Sequence, residues 1–312
     1  ILNSTGDGIS LTSTRGTNLS LMEVGGNDGS GIRGATVRSV TFTDLLVRNN
    51  TDTITTEHGI YLTDITGSST LTRLEVTGST EDNIRVLQNA NTGTVTITNS
   101  TIKDNSSGSG NVGIHCLSAT TGNLTCNVSG TTFQGNRTVS LRGDAADSSV
   151  LDVDFDSNVI VAGSPNQGNQ GIEVSSATNG TVTYSVTNNC VGKNGTGGSC
   201  AGATAPLGNT GINISSGCSI AGQTCSMAGT VSGNIVYNAG AGISGFGIRV
   251  FNTNLSNIRA LVNANTVSNV GLDYGLLVES SGTAASAVGR GIVSVSVTNN
   301  NVSVLGGALD AM

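Results

Sequence analysis

Tryptophan is absent from this chain of 312 residues, proline occurs twice, and the aromatics are five Phe and four Tyr. So few large rings exclude a conventional core built on aromatic packing. Charged residues make up 11%, less than half the usual share. Lysine is confined to Lys103 and Lys193. With 13 basic against 20 acidic residues and a net charge of -7, the chain lacks the clustered cations that displace counterions from nucleic acid. No apolar run reaches the roughly 18 residues of a membrane-spanning helix. The prolines, Pro165 and Pro206, are isolated and the glycines follow no three-residue period, which excludes a collagen-like chain. Val, Ile and Leu are too frequent for a disordered polymer. The start, Ile1-Leu2-Asn3-Ser4, has no initiator Met, basic segment or apolar segment, and reads as a piece of a longer chain.

Glycine is abundant instead, at 45 residues, about twice ordinary usage, and its placement exposes a repeat. A small residue, Ile or Leu, any residue, then Val, Leu or another apolar residue recurs as Gly8-Ile9-Ser10-Leu11, Gly59-Ile60-Tyr61-Leu62, Asn83-Ile84-Arg85-Val86, Gly113-Ile114-His115-Cys116, Gly171-Ile172-Glu173-Val174, Gly211-Ile212-Asn213-Ile214, Gly247-Ile248-Arg249-Val250 and Gly275-Leu276-Leu277-Val278. Weaker copies are Gly31-Ile32-Arg33 and Thr138-Val139-Ser140-Leu141. The copies lie about 30 residues apart, from 23 between Gly8 and Gly31 to 40 between Gly171 and Gly211. A repeat of this length is the mark of a solenoid.

A second motif follows each copy, a strand ending in a polar turn. Its best versions place Asn158, Asn189, Asn234, Asn265 and Asn300 at one position, with Ser100 and Thr131 in earlier copies. Asn tolerates left-handed backbone at a turn, and stacked copies can bond into a ladder. Alternating segments such as Thr94-Val95-Thr96-Ile97-Thr98 and Ile292-Val293-Ser294-Val295-Ser296-Val297 bury one face only. No helical period competes. Short strands separated by Gly, Asn and Ser turns, two or three per repeat, predict an all-β parallel solenoid in which aliphatic side chains stack inside a narrow bore. About ten coils at about 4.8 Å each would extend roughly 50 Å. Residues 1–312 read as one continuous domain, a fragment of a possibly longer solenoid, with a longer loop insertion near 190–208.

With segments such as Ser4-Thr5-Gly6-Asp7-Gly8-Ile9-Ser10-Leu11 and Ser79-Thr80-Glu81-Asp82-Asn83-Ile84-Arg85-Val86, the chain resembles the single-stranded right-handed parallel β-helix proteins of the pectin-lyase-like superfamily. The likeness is nearest to the repeat-rich versions in large bacterial surface and secreted proteins. Right-handedness is what the resemblance implies.

The six cysteines fall in three close pairs, Cys116 with Cys126, Cys190 with Cys200 and Cys218 with Cys225. Local disulfides are expected from an even number so spaced, and with them an oxidising, extracellular or cell-surface location. Zinc is disfavoured because no Cys-x2-Cys spacing occurs and the two histidines, His58 and His115, lie far from most of the thiols.

The variable residue of the first motif points outward, giving a stripe of Ser10, Arg33, Tyr61, Arg85, His115, Ser140, Glu173, Asn213, Arg249 and Leu277. In the superfamily's lyases and hydrolases, outward residues on such a face carry catalysis. On that resemblance Arg85, His115 and Glu173 are the candidates to hold an acidic sugar and move a proton. The stripe lacks paired carboxylates on adjacent strands and the Gly-His-Gly signature, so a solvated row of side chains is expected. Asp144, Asp147, Asp152, Asp154 and Asp156 form an acidic run, the last three alternating outward as candidate Ca2+ ligands. The Gly-Gly-x-Gly-x-Asp motif of calcium-binding β-rolls is absent, so a plain acidic surface is favoured. Outward threonines at Thr94, Thr96 and Thr98 and at Thr181 and Thr183 are broken by Asn127, Asp152 and Asp154, too interrupted for an ice-binding array.

These features point to a non-enzymatic structural or adhesive rod segment of a large secreted or cell-surface bacterial protein. An unpaired terminal coil would be covered by flanking coils or by a second copy stacked end to end into a fibre. The alternatives are a polysaccharide-active β-helix, whether lyase, hydrolase or tailspike, and a glycan-binding solenoid.

Overall fold

The computed structural model describes residues 1–50, 57–104, 112–162, 170–194, 200, 210–218, 223–237, 245–270, 274–281 and 291–304. Every regular element among them is a β-strand and every strand pairing is parallel. Much of the predicted loop near 190–208 lies outside the described residues. No helix is long and apolar enough to cross a membrane among the described residues.

Each turn of the chain contributes to three faces. The first is a ten-stranded sheet whose strands follow one another in chain order, from Ile9–Thr12 through Ile84–Gln88, Ile114–Ser118, Val139–Ala145, Gln170–Ala177 and Thr210–Cys218 to Tyr274–Ser281. The second and third belong to one bent 18-stranded sheet. The bend is plain at Thr41–Arg48, which pairs with Gly67–Thr72 in its first half and with Glu75–Thr77 in its second. A strand that pairs only with the preceding and following turns makes an all-β parallel solenoid.

Alternation within each strand sends every second side chain into the bore, and the register stacks like on like. On the first face Ile9, Ile32, Ile60, Ile84, Ile114, Leu141, Ile172, Ile212, Ile248 and Leu276 form one column. On the second, Phe42, Leu71, Ile97, Val128, Phe155, Val186, Val231 and Val262 form another. Members of both columns from Ile32 to Ile248 are fully buried. Phe42, Phe133 and Phe155 are the largest of the fully buried side chains, and Tyr184 joins them at 3% exposure.

The glycine before the first strand is required by close approach of neighbouring turns. A Cβ on Gly171 would lie 2.6 Å from the Gly211 carbonyl oxygen and 2.6 Å from Val191 Cγ1, and one on Gly31 would lie 2.7 Å from the Gly59 oxygen. Neither glycine has a positive φ. The corner is thus closed by backbone against backbone, and a side chain there has nowhere to go.

The bend between the second and third faces departs from the sequence expectation in one respect. Left-handed backbone does not fall on the laddered asparagines. It falls on the residue before each, Ser157, Asn188, Gly233, Ala264 and Asn299, and on Arg73 and Asn99 in earlier turns. That residue turns the chain outward, so the next side chain points into the bore. Asn158, Asn189, Asn234 and Asn265 are consequently buried. Each accepts on Oδ1 from the preceding turn: Asn158 N–H and Nδ2 donate to Asn189 Oδ1 at 2.9 and 3.0 Å, and the pattern repeats through Asn234 and Asn265 to Asn300. The Nδ2 groups of Asn158, Asn189 and Asn234 also donate to the Val128, Phe155 and Val186 carbonyls at 2.8 to 2.9 Å. Polar groups that would be costly in a dry bore are thereby satisfied.

Candidate functional site

The register of the first sheet assembles the outward stripe and corrects one member. His115 pairs with Arg142 and Arg142 with Glu173. The stripe therefore carries Arg142 and not Ser140, which is buried. The weak motif at Thr138 was offset by two residues, because the copy that occupies the turn is Ser140-Leu141-Arg142-Gly143 and lacks the opening glycine.

Ser10 and Arg33 at the start of the stripe are exposed, but its middle is not a solvated row. His115 and Asn213 are each 7% exposed, and Asp82, on the turn that leads into Ile84–Gln88, is 2% exposed. His115 lies between two carboxylates. Its Nε2 is 2.9 Å from Asp144 Oδ2 and its Nδ1 is 3.4 Å from Asp82 Oδ2. Burial disfavours the imidazolium, but hydrogen bonds and charge from Asp144 and Asp82 outweigh it and raise the His115 pKa above its ordinary value. Burial likewise opposes ionisation of the two aspartates, and the bonds from His115 overcome it, holding both below the carboxylate range.

Asp144 sits two residues beyond Arg142 on the same strand and points outward beside it. Arg142 Nε lies 2.6 Å from Asp144 Oδ2 and 3.3 Å from Glu173 Oε2. These contacts are ion pairs without hydrogen-bond alignment, since Arg142 Nε has no aligned acceptor. Ser175 Oγ donates to Asp144 Oδ1 at 2.6 Å and Asn213 Nδ2 to Glu173 Oε1 at 3.4 Å. Glu173 moves the other way from Asp144: burial raises its pKa, which Arg142 only partly offsets. Arg85 Nη1 reaches Asp82 Oδ2 at 3.4 Å. The structure thus joins Arg85, His115 and Glu173 through Asp82, Asp144 and Arg142, three residues that the sequence stripe did not include. Asp144 is legible in the sequence only as the start of the acidic run, because the motif assigns to Ser140 the stripe position that Arg142, two residues before Asp144, occupies.

Further along the same face, Arg249 lies over the Phe246 and Phe251 rings at 5.0 and 4.0 Å and pairs with Glu279 at 3.2 Å.

The acidic run divides. Asp144 belongs to the first sheet, whereas Asp152, Asp154 and Asp156 lie on Val150–Asp156 of the second. Asp152 and Asp154 are exposed. Asp156 accepts from Thr187 Oγ1 at 2.7 Å, Asn188 Nδ2 at 2.9 Å and Ser157 Oγ at 2.8 Å, and these bonds outweigh its desolvation to lower its pKa. No group of three or more His, Cys, Asp or Glu suited to a metal ion occurs among the described residues. The threonine columns through Thr96 and Thr98, which meet Asn127 and Ser129 on the following turn, continue in the other direction, with Thr96 on Thr70 on Thr41 and Thr98 on Thr72 on Thr43.

Disulfides join Cys116 to Cys126, Cys190 to Cys200 and Cys218 to Cys225. Cys116 lies on the first face and Cys126 on the second, both at 0% exposure, so their bond crosses the bore. Three disulfides in one chain fit an oxidising compartment. No protein-family model, no curated protein and no solved structure matches the chain.

Proposed function

We propose that the chain is a stiff structural or adhesive rod segment of a large secreted or cell-surface bacterial protein, built as a right-handed parallel β-helix of the pectin-lyase-like kind. One observation carries this reading: on the face where catalysis would sit, the ionic groups are engaged with one another. Two aspartates hold His115, Asp144 and Glu173 flank Arg142, Asp82 receives Arg85, and Glu279 pairs with Arg249. A general base or nucleophile needs a free lone pair facing substrate, and the most buried carboxylates here spend theirs inside the network. The parallel ladder supplies stiffness, and the Ser, Thr and Asn surface presents few charges. Flanking coils of the parent chain, or copies stacked end to end into fibres, would continue the ladder.

Incubation with anionic and neutral polysaccharides tests the reading: no reducing ends and no unsaturated products are expected, and turnover of any of them refutes it. Sedimentation over a concentration series tests the stacking, which a strictly monomeric species refutes.

A polysaccharide-active site is the second reading. It is favoured by the opposite pKa shifts of Asp144 and Glu173, the pattern of an acid and base pair, and by Arg85 Nε, Asn213 Oδ1 and Arg249 Nε, buried atoms without hydrogen-bond partners that a glycan could satisfy. Loss of turnover in Glu173→Gln at unchanged stability would establish it. Retention on a glycan array without turnover would mark a glycan-binding solenoid instead.

A further inference from the structure

We propose that His58, Asp82 and His115 form an acid-operated latch that fastens three successive turns of the solenoid at one corner and releases that corner while the rest of the ladder stays paired. Asp82 is the fastening group. Its Oδ1 accepts the Val112 N–H of the following turn at 2.9 Å, and its own N–H donates to His58 Nδ1 of the preceding turn at 3.2 Å. Its Oδ2 faces His115 Nδ1 at 3.4 Å, Arg85 Nη1 at 3.4 Å and His58 Nδ1 at 3.9 Å. The backbone is continuous with this seam: Gly59 N–H donates to the Asp82 carbonyl and Asn83 N–H to the Val112 carbonyl.

The His58 bond fixes a tautomer. An Nδ1 that accepts a backbone N–H carries no proton, so neutral His58 is protonated on Nε2. Acid adds a proton to that same Nδ1, converting the acceptor into a donor that faces the Asp82 N–H. The bond is lost, and a third cationic group joins Arg85 and His115 around one carboxylate. Desolvation resists this protonation, with the charges of Arg85 and His115 assisting and Asp82 opposing, and the His58 pKa falls from 6.5 to about 4. His58 is 3% exposed.

Among the described residues, other titratable groups lie near the imidazole on several turns. On its own turn stand Glu57 and Tyr61, whose ring meets the imidazole edge-on at 4.7 Å. On the preceding turn Arg33 lies over Tyr61 at 5.9 Å. The following turn brings Glu81, whose pKa burial raises, beside Asp82 and Arg85. The turn after it brings His115, backed by Asp144 and Arg142. Glu81 and His115 both respond to acid in the sense opposite to His58. The test is therefore a difference between the wild type and a variant that alters His58 alone.

His58→Asn keeps an acceptor near Nδ1 and removes the titration. The readout is native-state hydrogen exchange at the Asp82 and Val112 amides, as protection factors. Titration of His58 alone multiplies the corner's opening constant about twentyfold between pH 7 and pH 5. Protection at both amides is expected to fall by about that factor more in the wild type than in the variant, with strand Thr210–Cys218 showing no such difference. An equal fall in both proteins, or a difference spread evenly along the rod, overturns the latch. Should the variant not fold, the imidazole ring protons of the unaltered chain decide by NMR. His58 is expected to titrate near 4 and His115 above its ordinary value, and titration of both together near 6.5 overturns the proposal.

Discussion

Replacing Asn189 with Ala removes the middle of the asparagine ladder and nothing else of comparable size. The Asn158 N–H loses the Oδ1 it donates to, the Phe155 carbonyl loses the Nδ2 that donates to it, and Asn234 Oδ1 loses one of two donors. Asn158 Nδ2 keeps the Val128 carbonyl, and the Asn189 N–H keeps Asn234 Oδ1. The Asn158 N–H is thus stranded in a dry bore, while the Phe155 carbonyl stays within the parallel pairing of Val150–Asp156 with Thr181–Thr187, so the substitution costs about 1–3 kcal/mol. Asn300, half-exposed at the last described rung, serves as the reference site, and its replacement by Ala costs less. Asn158→Ala combined with Asn189→Ala costs less than the two separately, because they share their bonds. Urea unfolding followed by far-ultraviolet circular dichroism measures the totals. Because a solenoid opens by neighbouring turns, hydrogen exchange on strands Asn123–Ser129 and Val150–Asp156 localises the loss. A cost for Asn189→Ala below about 0.5 kcal/mol, within the range of an ordinary surface change, refutes the claim that the ladder bonds contribute net stability.

Gly171→Ala forces a Cβ against the Gly211 carbonyl and is expected to cost about 1–3 kcal/mol, whereas Gly6→Ala, with nothing within 4 Å of the added atom, leaves the urea midpoint unchanged. His115→Gln leaves Asp82 and Asp144 without their shared cation and destabilises by about 3–5 kcal/mol near neutral pH. Because the folded-state pKa of His115 is raised, its contribution is fully present below the unfolded value of 6.5 and is lost as pH rises through the folded value. The difference in urea stability between wild type and variant should therefore shrink at alkaline pH, and a pH-independent difference counts against the clamp. Opening Cys116–Cys126 by Cys116→Ser with Cys126→Ser costs about 2–3 kcal/mol for a loop this short. In the wild-type protein, thiol titration should find no reactive cysteine, even after unfolding in urea, until a reductant is added.

Much of the architecture is legible from the side-chain pattern, because a solenoid writes the same local rule into each turn. The Ile column of the first face and the recurrence of a polar residue at the bend follow from residue type and spacing alone. What was not legible depends on backbone geometry and on register. A positive φ at Ser157 or Ala264 leaves no trace in residue type, and without it the laddered asparagines are indistinguishable from turn residues that take the left-handed conformation themselves. The offset at Ser140 arose because the turn that carries Arg142 opens without a glycine, so the nearest match to the motif was two residues early. The charged network was hidden for a different reason. Asp82 comes from the turn before His115, and Arg142 and Asp144 from the turn after it, and only the stacking of those turns shows that they meet around one imidazole.

The asparagine ladder also has a direction. In all five rungs from Asn158 to Asn300 the side-chain oxygen faces the preceding turn, and in the first four the amino group donates to the rung that follows, so these amide dipoles lie head to tail along the rod axis and add, as peptide dipoles do in a helix. The interior of the rod is thereby polarised, its oxygen end toward the early turns and its amino end toward the late ones. Two such segments can extend one another's ladder only in the same sense. A head-to-head junction would set oxygen against oxygen, so the buried amides give the rod a polarity that its exposed Ser, Thr and Asn faces do not display.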